Sequence, residues 1–519
     1  MTTPEPFDPE RRRDHPGGAP ELPAQANLGV EAGRGALFIG FAKMYFMVSG
    51  SLQRVVLPHL LDTAAFGAFG VVNNLISIVN NTVVQATIPA ISKFTAEDER
   101  RADVIKRAGL KMQLVLGGAL TLAFFLGAPL IARFEKAPGY VGYFRAAAAI
   151  PFLYALYALF VGSANGLRRF RTQASFDVGF STAKTILMLG LAVVWHVTGA
   201  FIGFATAAVL ILIYAARVMG VPSARAAAGE APFPAARLVK FMGAMVAYTF
   251  LLNVALNYDQ PLLRRLAGAV VDTHSAGVMA GHYEGLRTLA LLPFQALLVI
   301  TFVIFPLVSR STFAEDRAAT RAYVDQTLRY ALILAAAMGL CLGARPAALL
   351  AIVYKPDYGE GAAALPILVT GECCLAMLAV SCAILNAAGR AAAAIALMGV
   401  TLAVGVAAAY LLVPNAAPGP AMLRAAAIAT SLGMAAGFVA AVIYLRSRLG
   451  GGPPPATALR VGVSAAVAAL AGRIIPAHGK LLGLVAIGAV AAVYLLGLVL
   501  TGELGAADRA KLTRILRRR

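Results

Sequence analysis

The sequence predicts an all-α polytopic membrane protein of about fourteen transmembrane helices, arranged as two parallel six-helix repeats followed by two C-terminal helices. Three observations lead there. Of the 519 residues, 59% are hydrophobic and 13% charged, with a mean hydropathy of +0.75, which leaves too little polar surface to coat a soluble globule. Apolar runs of about twenty residues, enough to cross ~30 Å of hydrocarbon, recur between charged or Pro/Gly breaks. The chain also repeats itself. Pro89-Ala-Ile-Ser92-Lys93-Phe-Thr-Ala96-Glu97-Asp98 returns as Pro306-Leu-Val-Ser309-Arg310-Ser-Thr-Phe-Ala314-Glu315-Asp316. Each copy is followed at similar distance by a small-residue turn with Asn, Gly and Arg, Gly162-Ser-Ala-Asn165-Gly166-Leu-Arg168 and Cys382-Ala-Ile-Leu-Asn386-Ala-Ala-Gly389-Arg390. Ordered landmarks at matching spacing mark two homologous halves.

Residues 1–34 form a polar tail without the apolar core of a signal peptide, so insertion is expected to start from the first membrane helix. The N-lobe, residues 35–219, holds runs at Ala36–Leu57, Gly67–Ile91, Leu110–Ile131, Tyr143–Ala164, Phe176–Val197 and Gly199–Met219. A linker rich in Ala and Pro, 220–237, leads to the C-lobe, 238–446. Its runs are Leu238–Tyr258, Gly277–Val308, Thr327–Ala344, Ala362–Leu385, Ala391–Val413 and Ala425–Leu445. A Gly/Pro linker, 447–458, precedes helices 13 and 14 within 459–501, and a basic tail, 502–519, follows. Pairs Gly199/Gly203, Gly281/Gly285 and Gly433/Gly437 at Gly-x-x-x-Gly spacing imply close helix packing.

A net charge of +20 would suggest nucleic acid in a soluble protein, but here topology accounts for it. If both termini are cytoplasmic, that side carries most of the 45 Lys and Arg residues, as the positive-inside rule requires, so no nucleic-acid partner is implied. With six helices per repeat the halves lie parallel. Cys341, Cys373, Cys374 and Cys382 all fall within apolar segments and are read as core residues, not as metal ligands or a disulfide.

Polar side chains within hydrocarbon are costly, so their positions are informative. Helix 1 carries Lys43 and Arg54 on one stripe, and helix 2 carries Asn74, Ser77, Asn81 and Gln85 at helical spacing. Helix 7 repeats the pattern with Asn253, Asn257, Gln260 and Arg264, and helix 8 with Glu284, Arg287 and Gln295. Helix 5 adds Asp177, Ser181 and Lys184. The pattern predicts a polar cavity between the halves, lined mainly by helices 1, 2, 7 and 8. Lys43 has no acid one turn away and needs a partner from elsewhere: water, Glu284 or a bound anion. Asp259, Glu284 and Glu372 are the acids placed to bind a coupling cation. His59, His196, His274 and His478 fall at loops or helix ends and are read as solvated.

A twice-repeated six-helix bundle with Pro-x-x-Ser-[Lys/Arg] closing helices 2 and 8 resembles the multidrug, oligosaccharidyl-lipid and polysaccharide exporter superfamily. The segments Gly67-Ala-Phe-Gly70 and Ala276-Gly277-Val-Met-Ala-Gly281, opening those helices, add to the likeness. The cavity cations suit the polysaccharide-transport branch. That resemblance implies a secondary transporter, not an enzyme, moving undecaprenyl-diphosphate-linked oligosaccharide by alternating access across the bacterial cytoplasmic membrane. It implies no cofactor and no metal; its partners are the lipid-linked oligosaccharide, membrane lipids and a candidate polysaccharide polymerase. Within that expectation the substrate-binding candidates are Lys43, Arg54, Asn74, Asn81, Gln85, Lys184, Asn253, Asn257, Arg287 and Gln295. A peptidoglycan-precursor flippase and a cation-coupled drug exporter of the same fold remain alternatives, and a membrane polymerase or ligase is more remote. Against an enzyme stand the short outer loops and the lack of a His/Asp/Glu cluster suited to acid-base or metal chemistry.

Overall fold

The computed structural model describes residues 23–222, 233–298, 308, 316–475 and 479–505. Every element within them is helical. The first group comprises α1 (Pro23–Leu60), α2 (Thr63–Glu97), α3 (Ala102–Phe134), α4 (Val141–Ala147), α5 (Ile150–Gly166) and α6 (Phe170–Met219). The second comprises α7 (Ala235–Asn257), α8 (Asp259–Ala267), α9 (Thr273–Ala290), α10 (Arg317–Gly343), α11 (Pro346–Val353), α12 (Leu365–Ala387), α13 (Ala391–Leu412) and α14 (Pro420–Leu449). Helices α15 (Pro455–Ile474) and α16 (Lys480–Leu500) close the chain's described part. The repeated Pro306–Asp316 landmark lies outside the described residues except for Val308 and Asp316, as do the end of the predicted eighth run and most of both polar tails.

Ten helices among the described residues are long and apolar enough to cross a membrane, or eleven when Ala235–Gly243 and Met245–Asn257, bent by 44°, are taken as one span. The protein is a multi-pass membrane protein. The count differs from the fourteen predicted runs because α6 contains two of them, the eighth run continues outside the described residues, and α1 is not among the spans counted. At Trp195 and His196 the backbone leaves helical geometry, and His196 takes a positive φ of 49°. Behind this break the chain folds back on itself: a Cβ added at Gly199 would lie 1.9 Å from the Leu191 carbonyl oxygen, and one at Gly203 would lie 2.3 Å from that of Leu187. The hairpin has no loop because those glycines let its two arms touch backbone to backbone.

Helices α1 to α6 pack around a core of aromatic rings, with Tyr154 and Phe180 at 5.0 Å and Phe69 and Phe201 at 5.1 Å. Helices α7, α10, α12, α13 and α14 enclose a second, aliphatic core that includes Leu328, Leu378, Leu385 and Met398. The pair α15/α16 is held to α10 by Glu503, which is 2% exposed. Its Oε1 accepts from Arg329 Nε at 2.6 Å and from the Thr457 hydroxyl at 2.9 Å, while Arg460 Nη1 lies 3.3 Å from Oε2.

The two groups meet along α2, the helix on which the site depends. Its N-terminus is capped by Asp62, whose Oδ1 accepts from Ala65 N, and α9 is capped in the same way by Asp272, which accepts from His274 N and Ser275 N. The two caps open matching segments, Asp62-Thr63-Ala-Ala-Phe-Gly67 and Asp272-Thr273-His-Ser-Ala-Gly277, and these pack on one another. A Cβ on Gly67 would fall 2.2 Å from Gly277 O, and one on Gly281 would fall 1.9 Å from Thr63 O. At the other end of α2, Phe94 packs against Phe241 of α7 at 5.8 Å, Lys93 lies over the Phe241 ring at 4.5 Å, and Arg237 pairs with Glu97 at 3.1 Å. At the Asp62 end α2 and α9 meet backbone to backbone; the contact at the Glu97 end is aromatic and ionic.

Candidate functional site

Between these two contacts lies a cavity of about 370 Å³. Helix α1 contributes Gly50, Gln53 and Arg54; α2 contributes Asn73, Ser77, Asn80 and Asn81; the first arm of α6 contributes Lys184. Across from them stand Leu256 and Asn257 of α7, Arg287 and Thr288 of α9, and Gln295 beyond it. Among the described residues the wall therefore carries three cations and no carboxylate.

Those cations are in different electrostatic situations. Arg287 is 1% exposed and lies in a nest of partners: its Nε is 3.0 Å from Asp259 Oδ1, and its Nη1 is 3.5 Å from Glu284 Oε2. Its guanidinium also donates to Asn74 Oδ1 at 3.1 Å, to Asn257 Oδ1 at 3.3 Å and to the Leu256 carbonyl. Two acids thus share one guanidinium. Arg54 and Lys184 line the cavity with no carboxylate among the described residues in ion-pair contact, and Lys184 Nζ sits 3.9 Å from the centre of the Phe204 ring. A cation over an aromatic face is attracted by the ring quadrupole, more strongly where part of its water is lost.

Of the sequence candidates, Arg54, Asn81, Lys184, Asn257, Arg287 and Gln295 share the cavity wall. Four others do not reach it. Lys43 pairs with Asp177 of α6 at 2.9 Å, an acid on another helix and not Glu284. Gln85 is exposed outside the cavity. Asn74 is fully buried behind α2, donating to Glu284 Oε2 at 2.9 Å and Gln260 Oε1 at 3.3 Å. Asn253 is buried and donates to the Thr249 carbonyl at 2.8 Å. The wall-forming stripe on α2 is Asn73, Ser77, Asn80 and Asn81; it keeps Ser77 and Asn81 of the predicted stripe and has Asn73 and Asn80 in place of Asn74 and Gln85. The paired asparagines at 73/74 and 80/81 made either register possible from the sequence.

Asp259 and Glu284 meet at Arg287, beneath the wall. Glu372 is completely buried, with no hydrogen-bond partner for either carboxylate oxygen among the described residues. The expected continuation of the helix 7 stripe is interrupted, because the chain bends after Asn257 and restarts as α8. Gln260 then donates to Gly67 O at 3.1 Å and Arg264 becomes fully buried, 5.6 Å from the Tyr140 ring centre.

Sequence reading also missed His282. It is 3% exposed on α9 at the Asp62 end, with Nε2 3.5 Å from Asp357 Oδ2 and Nδ1 3.8 Å from Glu360 Oε2. Thr63 of α2 donates to Asp357 Oδ2 at 2.6 Å, and Lys355 Nζ to Leu61 O at 3.1 Å, so the loop before α12 ties both groups of helices together. Partial burial works to raise the Asp357 carboxyl, but the Thr63 hydroxyl and His282 outweigh it and hold the group below the ordinary carboxylate value. A buried histidine one residue past Gly281 was the only available signal, and it is a weak one.

Solved structures with the same architecture are transporters and flippases. A lipid II flippase MurJ in an inward closed conformation superposes with a TM-score of 0.71 at 12% identity, covering 90% of this chain and 99% of that one. An inward-facing multidrug resistance MATE family transporter of the MOP superfamily gives 0.60 at 17% identity, covering 80% and 94%. A MOP superfamily transporter from Pyrococcus furiosus, described as having a binding pocket of reverse polarity, gives 0.59 at 16% identity, covering 80% and 95%. No curated protein matches the chain. The model of the polysaccharide biosynthesis protein family matches residues 32–312, more than half of the chain and all of the helices that meet at α2 up to α9, and the chain belongs to that family.

Proposed function

We propose that the protein translocates undecaprenyl-diphosphate-linked oligosaccharide across the bacterial cytoplasmic membrane for cell-surface polysaccharide synthesis. One observation carries this reading: the cavity wall holds Arg54 and Lys184 with no carboxylate among the described residues in ion-pair contact, while Asp259 and Glu284 meet at Arg287. A diphosphate supplies the missing counter-charge. At an effective dielectric of about 20, opposite unit charges ~4 Å apart attract by roughly 4 kcal/mol, so each cation is a substantial anchor. The asparagines of α2 supply donors and acceptors of the kind that hydroxyl-rich sugars need.

In this reading both termini are cytoplasmic, and the halves 35–219 and 238–446 rock about the head group while the lipid tail stays in the bilayer. The ionic contact at the Glu97 end yields to admit cargo, and the glycine contact at the Asp62 end yields to release it. Asp259, Glu284 and Glu372 bias that motion by binding a coupling cation. A second reading, a peptidoglycan-precursor flippase, draws support from the extent of the MurJ superposition and shares the diphosphate chemistry.

The test is translocation by reconstituted protein carrying Arg54→Glu or Lys184→Glu. Each variant is expected to melt like the wild type and to lose flipping. Normal flipping by either stably folded variant overturns the diphosphate site. Mass and sugar analysis of lipids retained by the wild type separates an oligosaccharide carrier from a peptidoglycan precursor.

A further inference from the structure

A second concavity, of about 510 Å³, opens on the membrane-facing side of the first group of helices, away from the central cavity. It is lined by Leu75 and Ile78 of α2 and by Phe124, Leu130, Ile131 and Phe134 of α3, with Glu135 at its rim. From Phe124 to Phe134 the helical rise gives a groove ~15 Å long, half of the ~30 Å hydrocarbon core and therefore the depth of one leaflet. Its floor is apolar throughout. Its rim is cationic: Arg265 stacks on the Phe134 ring at 3.6 Å and donates to the Phe134 carbonyl at 3.2 Å, which fixes the guanidinium over the mouth. Exposed Lys136, at a positive φ of 54° where α3 ends, stands next to it against Gly268.

We propose that this groove binds one acyl chain of an anionic phospholipid, whose phosphate is held by Arg265 and Lys136. The bilayer supplies the occupant, because the groove faces lipid and has no continuity with the cation-lined cavity. Its length fits an acyl chain and not a polyprenyl chain, which would outrun a single leaflet. The rim residue Glu135 fits the same ligand. It is 3% exposed, and its Oε2 has no partner among the described residues. Burial pushes its carboxyl up to about 8 against the pull of Arg265 and Arg264, so near neutral pH it is largely protonated and does not repel a phosphate at the rim.

The rim is built from both groups of helices, Phe134 to Lys136 from the first and Arg265 of α8 from the second. A lipid seated there bridges them only while the Asp62 end is closed. It is therefore a stabiliser of that state, and its role is separate from any cargo in the central cavity.

The test is phospholipid analysis of purified protein by native mass spectrometry, after extraction from membranes containing phosphatidylglycerol and phosphatidylethanolamine. Wild type is expected to retain phosphatidylglycerol. Arg265→Gln, which removes a charge-assisted contact, and Leu130→Trp, which fills the groove from an exposed position, are each expected to lower retention about tenfold. Melting temperatures in detergent check that both variants fold, and Ile78→Trp substitutes for either one that does not. Undiminished retention by folded variants overturns the proposal, and so does retention of a polyprenyl phosphate in place of phosphatidylglycerol.

Discussion

Gly281→Ala tests whether the Asp62 end is a moving contact. The added methyl would sit 1.9 Å from Thr63 O and 2.9 Å from Thr63 C. Carbon and oxygen atoms in contact stand more than 3 Å apart, so α2 and α9 must separate by about 1 Å or more. Because the neighbour is backbone, no rotamer change relieves it. Overpacking of this kind costs about 1–3 kcal/mol. The cost applies only where the two helices touch, so it lands on the state closed at this end and moves the equilibrium toward the open one by roughly 5–150-fold. Spin labels on exposed His59 and Gly359, in a cysteine-free background, report the separation at that end. The expected result is a gain in the long-distance population with a melting temperature lowered by a few degrees at most. A distance distribution identical to wild type, in a folded variant that transports normally, would show that the seam does not open and would refute two-body rocking.

Two further substitutions probe charges that the structure places outside the cavity. Lys43→Ala leaves Asp177, 5% exposed, without its cation and is expected to destabilise the protein measurably, with Lys43→Ala/Asp177→Asn recovering most of the loss; Lys43 itself is half-exposed, which keeps the effect below that of a fully buried pair. Equal melting of the single and double variants would show that the pair contributes nothing. Burial tends to raise the Glu503 carboxyl, but Arg329, Thr457 and Arg460 hold it below its ordinary value. A depressed folded-state value means that its stabilising contribution is complete above the unfolded-state pKa of about 4.3 and is lost as pH falls through the folded value. Wild type should therefore lose stability on acidification in a step that Glu503→Gln lacks, read from melting curves between pH 7 and about pH 3; parallel curves would remove Glu503 as the tie on α15 and α16.

The fold was legible because hydrocarbon imposes it. Apolar runs, their breaks and the repeat follow from a solvent that satisfies no backbone group, and the structure differs mainly at joints. The reversal in α6 falls at Trp195 and His196, which carry no helix-breaking signature, and the glycines that permit it come after the turn. The bend after Asn257 lies one turn before Pro261, which has no N–H for the Asn257 carbonyl and crowds it, so here a signal was present and the sequence reading did not use it. The site was legible by helix but only partly by face. A single helix cannot show that Lys43 is answered by an aspartate on another helix, nor that Asn74 turns toward Glu284 while Asn73 turns toward the cavity. Such choices depend on which neighbour stands at each azimuth, and that is a property of the packed bundle.

The loopless reversal of α6 also sets a depth. Its apex is the chain's single tryptophan, and Trp195 is 54% exposed. An indole of this kind settles at the level of the lipid head groups. Lys184 lies on the arm that leads to it, and eleven residues of helix amount to ~16 Å, about half of the hydrocarbon thickness. With no loop to absorb slack, the indole acts as the zero of a ruler on which the ammonium is a fixed mark near the bilayer midplane. Quenching of the native tryptophan by lipids brominated at successive chain positions would read that ruler directly, without adding a probe to the protein.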